Sequence, residues 1–178
     1  MITVRGKTIS TLYSAEQIAE RNLAMAQEIG SHARDNLVVI AILKGSFVFA
    51  ADLIRALHES GLEPEVEFIT LSSYGAGTES GEVKILRDID TDVKGRDVLL
   101  IDDILESGNT LNFARNLMLE RGAKQVEIAV LLDKHSRRKA QVTADHVGFD
   151  CPDYFVVGYG MDVGHAFREL PFVGVVEA

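Results

Sequence analysis

The chain has 178 residues, 47% of them hydrophobic, with a formal net charge of −9. That length predicts one domain, residues 1–178, with enough apolar side chains for a real core. The acidic balance argues against nucleic-acid and anionic-membrane partners, which need a positive field. It leaves room for an anionic small-molecule substrate held by local cations or a metal. A single cysteine, Cys151, excludes an intrachain disulfide and fits a cytoplasmic location. No apolar run approaches membrane-spanning length, and the first ten residues lack the apolar stretch of a signal peptide.

In chain order, Ser14 is placed to cap a helix, with Gln17 completing a capping box. Ile18, Asn22, Met25, Ala26 and Ile29 then share one helical face. NLVVIAILKG is a continuous apolar run ending in Lys44-Gly45, a strand buried on both faces. FVFAADLIRALHES follows as a helix closed by Gly61. EVEFITLSSY alternates and is β-branched, which predicts a strand. The glycine-rich segment from Ser73 to Gly81 reads as a flexible loop, with EVKILRDI as its returning strand. RDVLLIDD is the next buried strand, TLNFARNLMLERG a helix, and QVEIAVLLDK another buried strand. The remainder reads as short strands and turns. Alternating buried strands and amphipathic helices predict an α/β fold around a mainly parallel sheet. In such sheets ligands bind outside the carboxyl ends of the strands. Lys44, Asp102-Asp103 and Lys134 all fall at such ends.

VLLIDDILESGNTL raises a chemical question, because a buried strand runs into a cluster of carboxylates and a small polar loop. Loop amides with a helix N-terminus behind them form an anion cradle. Ser107 and Thr110 add hydroxyl donors, and Gly108 allows close backbone approach. Asp102 and Asp103 cannot bind phosphate directly, but they can take sugar hydroxyls or act through Mg²⁺. Together these groups suit a phosphorylated ribose. The alternative is equally open from the loop alone: solvated acids, with Ser107 capping the helix.

Two acids after an apolar strand, followed by acidic-Ser-Gly-x-Thr, resemble the phosphoribosyl pyrophosphate (PRPP) signature of type I phosphoribosyltransferases. LKGS (43–46), SSYGAGTES (72–80), LLDK (131–134), DYFVVGYGMD (153–162) and FREL (167–170) resemble the hypoxanthine-guanine branch, in order and spacing over nearly the whole chain. The resemblance implies a mainly parallel twisted sheet flanked by helices, a small hood from the terminal segments, and a lid beginning at Ser73 and Tyr74. It implies Mg²⁺-dependent transfer of phosphoribose from PRPP to a 6-oxopurine, and assembly as a homodimer or homotetramer. Lys44 and Gly45 correspond to the pyrophosphate loop, often preceded by a cis peptide in the family. Asp102 and Asp103 correspond to the ribose and metal contacts, and Ser107, Gly108, Asn109 and Thr110 to the 5′-phosphate cradle. Asp162 corresponds to a second metal handle at the edge of the base pocket, and Arg168 to its diphosphate-binding partner. Lys134 is the donor to the purine 6-oxo group, Phe155 the stacking ring, and Val156 the carbonyl acceptor.

Glu106 departs from the pattern, since relatives carry an aspartate proposed as the general base near purine N7. The extra carbon adds about 1.5 Å of reach. Glu106 could fold back and serve as base, could leave catalysis to Lys134 and electrostatics, or could mark a drift from efficient catalysis. We favour the first. The basic run KHSRRK (134–139) is expected to be a solvated turn rather than a nucleic-acid patch. A phosphoribosyltransferase-fold regulator with little catalysis, and a relative preferring xanthine or guanine, are the competing functions.

Overall fold

The computed structural model describes residues 1–74 and 82–178, with the side chain of Tyr74 left out. Two sheets organise it. The strands are β1 (Ile2–Val4), β2 (Lys7–Tyr13), β3 (Val38–Leu43), β4 (Glu65–Tyr74), β5 (Glu82–Arg87), β6 (Asp97–Leu105), β7 (Gln125–Asp133), β8 (His146–Asp150), β9 (Val156–Val157) and β10 (Val173–Val176). The helices are α1 (Ala15–Gly30), α2 (Phe47–Glu59) and α3 (Asn109–Glu120). The larger sheet has the order β5-β4-β3-β6-β7-β8. Its pairs are parallel except for the β4–β5 hairpin at one edge.

Side chains alternate across the pleat, so β3 serves both faces. Val39 and Ala41 pack towards α1 and α2, alongside Met25, Phe49 and Leu53. Val38, Ile40 and Ile42 pack towards Leu111, Ala114 and Met118 of α3. The helix faces therefore fix which side each strand residue meets. The Ser14 cap and its reciprocal Gln17 bond form as expected, and the five residues assigned to one face of α1 are the buried ones.

The terminal segments form the second sheet, β1-β2-β10-β9, wholly antiparallel. Its small core is Ile9, Val157, Phe167 and Leu170. β1 and β2 form a hairpin, and the sheet partner that continues it beyond β2 is β10, at the far end of the chain. The expected lid glycines, Gly75, Gly77 and Gly81, lie outside the described residues.

The chain leaves β3 towards β4 on one side and later returns to β6 on the other. The strand order therefore reverses between β3 and β6. A crevice opens outside their carboxyl ends, where open α/β sheets bind ligands.

Candidate active site

At the end of β3 the Leu43–Lys44 peptide is cis. Lys44 is exposed, and Gly45 lies directly against the neighbouring strand end: a β-carbon there would collide with the Asp103 carboxylate. Ser46 is fully buried, its hydroxyl donating to the Ile42 carbonyl at 2.5 Å. Any side chain at 45 would have to displace the Asp103 carboxylate.

β6 runs two residues further than the sequence pattern predicts, so Asp102 and Asp103 lie within the strand rather than after it. Ladder pairing with β7 continues through Leu105, opposite Asp133. Asp102 is buried and accepts the Asp103 amide at 2.8 Å. Burial, and then the charge of Asp103, push the Asp102 carboxyl well above the usual carboxylate range. Asp103 is only half-buried.

The next loop bends at Gly108, which caps α3 in the left-handed region at φ 84°. A β-carbon at that position would lie 2.5 Å from Val142 Cγ1. Ser107 does not cap the helix in the way the loop alone allowed; its Oγ accepts the Asn109 amide at 3.3 Å, one residue outside the cap. Asp102, Asp103, Glu106, Ser107, Gly108, Thr110 and Ser73 line a cavity of about 250 Å³.

A second cavity, of about 460 Å³, adjoins it and is lined by Lys134, Phe155, Val156 and Asp162. Asp103, Ile104 and Glu106 line both. Lys134, at the end of β7, is 5% exposed and holds its ammonium 3.3 Å from Glu106 Oε1 and 3.6 Å from Asp153 Oδ1. Phe155 is 63% exposed, just ahead of β9, so it is a rim residue and not a core strand residue. Asp162 Oδ2 accepts the His165 amide at 2.7 Å and pairs with Arg168 Nη2 at 3.2 Å. Arg168 also donates to the Gly160 carbonyl at 2.6 Å.

The fold thus gathers most of the expected residues around two joined cavities. Lys44, Gly45 and Arg168 stand beside them, and Asn109 lines a separate depression with Phe113 and Asn116. The basic run is mostly solvent-exposed, as expected, with His135, Ser136, Arg137 and Lys139 at the surface, but it also makes specific contacts. Lys134 is buried, Arg138 binds the Glu106 and Val142 carbonyls, and Arg137 binds Asp153. Sequence reasoning missed Arg137, Asp153, Tyr154 and Met161 as pocket residues. The only signal for them was proximity to Lys134 and Phe155.

Among the described residues, one group of three possible metal ligands converges: Asp133, His135 and Asp150. It differs from the expected set of Asp102, Asp103 and Asp162. Arg138 pairs with Asp133, and His135 lies 3.4 Å from Asp133 and 3.3 Å from Asp150, so this cluster is balanced by its own cations when His135 is protonated.

A parallel sheet with this reversal, an acidic strand end and a glycine-capped polar loop define a phosphoribosyltransferase-type site. The chain belongs to the phosphoribosyl transferase domain family, whose model matches residues 8–163. It is 46% identical over 168 residues to the hypoxanthine-guanine phosphoribosyltransferase of Bacillus subtilis, covering 93% of this chain and 92% of that one. It is 41% identical over 173 residues to the hypoxanthine phosphoribosyltransferase of Escherichia coli, covering 95% and 96%. A crystal structure of a Staphylococcus aureus hypoxanthine phosphoribosyltransferase superposes with a TM-score of 0.89 at 38% identity, covering 94% and 91%.

Proposed function

We propose that this chain is a purine-salvage enzyme that transfers the 5-phosphoribosyl group of PRPP to N9 of hypoxanthine, and also of guanine. Its products are then IMP or GMP, with pyrophosphate. The observation that carries this reading is the junction of the two cavities. One presents an acidic strand end and a polar loop to a phosphorylated sugar. The other presents a buried lysine and an exposed ring to a flat base. Asp103, Ile104 and Glu106 sit where the two would be joined.

In this reading N9 attacks C1′ as the C1′–oxygen bond to pyrophosphate breaks, and the bonding pair leaves with pyrophosphate. The Glu106 carboxylate takes the proton released from N7. Lys134 donates to the 6-oxo oxygen and disfavours adenine, whose 6-amino group would set donor against donor. Phe155 stacks on the base, and the Val156 carbonyl accepts from its N1–H. Loop amides and the hydroxyls of Ser107 and Thr110 hold the 5′-phosphate at the start of α3. Lys44, Gly45 and Arg168 meet the pyrophosphate, with Ser73 and Tyr74 at the base of a closing lid.

Asp102, Asp103 and Asp162 offer hard oxygen donors of the kind Mg²⁺ takes. They fit an ion shared with substrate oxygens better than a closed protein cage, as is usual for Mg²⁺ on phosphorylated ligands. Bound there, Mg²⁺ would neutralise the diphosphate charge. A homodimer or homotetramer and a cytoplasmic location complete the reading. Exposed Leu23 and Phe47 line an apolar groove of about 1100 Å³ between α1, α2 and the segment Arg168–Pro171. Arg55 and Glu59 on the same groove give it both signs of charge, which is compatible with a self-complementary contact between two copies.

Initial rates with PRPP, Mg²⁺ and each of hypoxanthine, guanine, xanthine and adenine test the assignment. Nucleotide is expected from the first two and none from adenine. No product from either 6-oxopurine would overturn it.

A further inference from the structure

The basic run is a surface segment that also braces the loop that carries Glu106. Arg138 Nε donates to the Glu106 carbonyl at 3.1 Å, and the amides of Lys139 and Ala140 donate to the Ser107 carbonyl at 2.8 and 2.9 Å. Arg138 therefore holds the backbone of Glu106. Its neighbour Arg137 faces the Glu106 side chain, with Nε 3.7 Å from Oε1. The same Nε donates to Asp153 Oδ1 at 3.0 Å. Lys134 approaches the same two carboxylates from the buried side. Two cations and two anions thus alternate around the floor of the base cavity. Both cations make their closest approach to Glu106 Oε1, while Oε2 accepts no hydrogen bond among the described residues.

A glutamate has one more rotatable bond than an aspartate, so its carboxylate must be held to act from one place. Lys134 alone cannot hold it, because one contact leaves the carboxylate free to swing. Lys134 is also needed by the 6-oxo group. Arg137, whose Nε hydrogen goes to Asp153, adds a second charge contact to the same oxygen, an ion pair at 3.7 Å. Asp153 fixes that donor from the other side. The arginine pairs lie at the surface, where such pairs add little to folding stability, so a role in the reaction can be separated from a role in folding.

We propose that Arg137, tethered by Asp153, is a positioning residue for Glu106. Its charge, with the Lys134 hydrogen bond, biases the carboxylate through Oε1 and leaves Oε2 to take the N7 proton. This rests on the phosphoribosyl-transfer reading above. It explains how a glutamate can work where the relatives' pattern leads one to expect aspartate: the extra length is taken up by an extra cation.

The test is a double-mutant cycle on IMP formation, with Arg137→Ala, Glu106→Asp and the double variant, plus Arg137→Lys. Arg137→Ala is expected to lower kcat about tenfold with KM for PRPP changed less than about twofold, the signature of a misplaced base and not of lost binding. Arg137→Lys is expected to recover about half of that loss, as a shorter reach to one partner allows. In the Glu106→Asp background the factor lost on Arg137→Ala is expected to shrink to about threefold or less, because the shorter carboxylate ends about 1.5 Å further from the guanidinium. Asp153→Asn is expected to shift kcat in the same direction as Arg137→Ala. Equal losses in both backgrounds, or a loss confined to KM, would overturn the proposal while leaving the enzyme assignment standing. An inactive parent chain would overturn the assignment itself.

Discussion

Asp102→Asn is expected to stabilise the ligand-free chain while damaging its function. Asp102 is buried at the end of β6, and its carboxyl is held well above the usual carboxylate range by burial and then by Asp103. The sign follows from linkage. For an acid raised in the native state, the stability contribution is full below the unfolded-chain value near 4, and it is lost as pH rises through the folded value. As pH rises, the native chain is required to hold this proton more tightly than the unfolded chain does, which costs stability. Asparagine removes that requirement. Its carbonyl can still accept the Asp103 amide, a bond of 2.8 Å in the parent, and its amide adds no charge beside the Asp103 carboxylate. The gain is expected to show as a higher Tm for the variant at pH 8. Thermal melts of both proteins in EDTA from pH 4 to 8 check this, with the difference growing as pH rises. Adding magnesium and PRPP should then raise the parent's Tm by more than the variant's. A difference that is zero, negative or independent of pH would refute the reasoning.

Gly108→Ala is expected to cost about 1–3 kcal/mol in urea unfolding, because φ is 84° and the new carbon meets Val142. It should also raise KM for PRPP, since Gly108 lines the phosphate-sized cavity. Tyr159→Phe removes a hydroxyl that donates to Asp52 and accepts from Asn22 Nδ2 at 3.0 Å. Among the described residues Asn22 Oδ1 is already without a partner, so the buried amide would lose the one bond it is seen to make. A loss of about 1–3 kcal/mol in chemical denaturation is expected.

The sequence alone was sufficient for every element whose signal is local. The capping box of α1, its buried face, the β3, β6 and β7 runs and the bounds of β4 follow from side-chain period and cap chemistry. The resemblance, carried by short motifs, named most of the residues that line the two cavities. Non-local pairing lay beyond it. β2 is held between its hairpin partner β1 and β10, which closes on it from the other end of the chain, and no local pattern announces that second partner. The run from Lys134 to Lys139 is mostly the exposed segment expected, but charge in a sequence carries no information about what faces it. Only packing placed Arg137 and Arg138 against Glu106 and set Asp153 opposite. Glu106 itself was legible as a carboxylate one carbon longer than expected. Whether that length could be accommodated depended on which cations the fold brought within reach, and that is a property of tertiary structure alone.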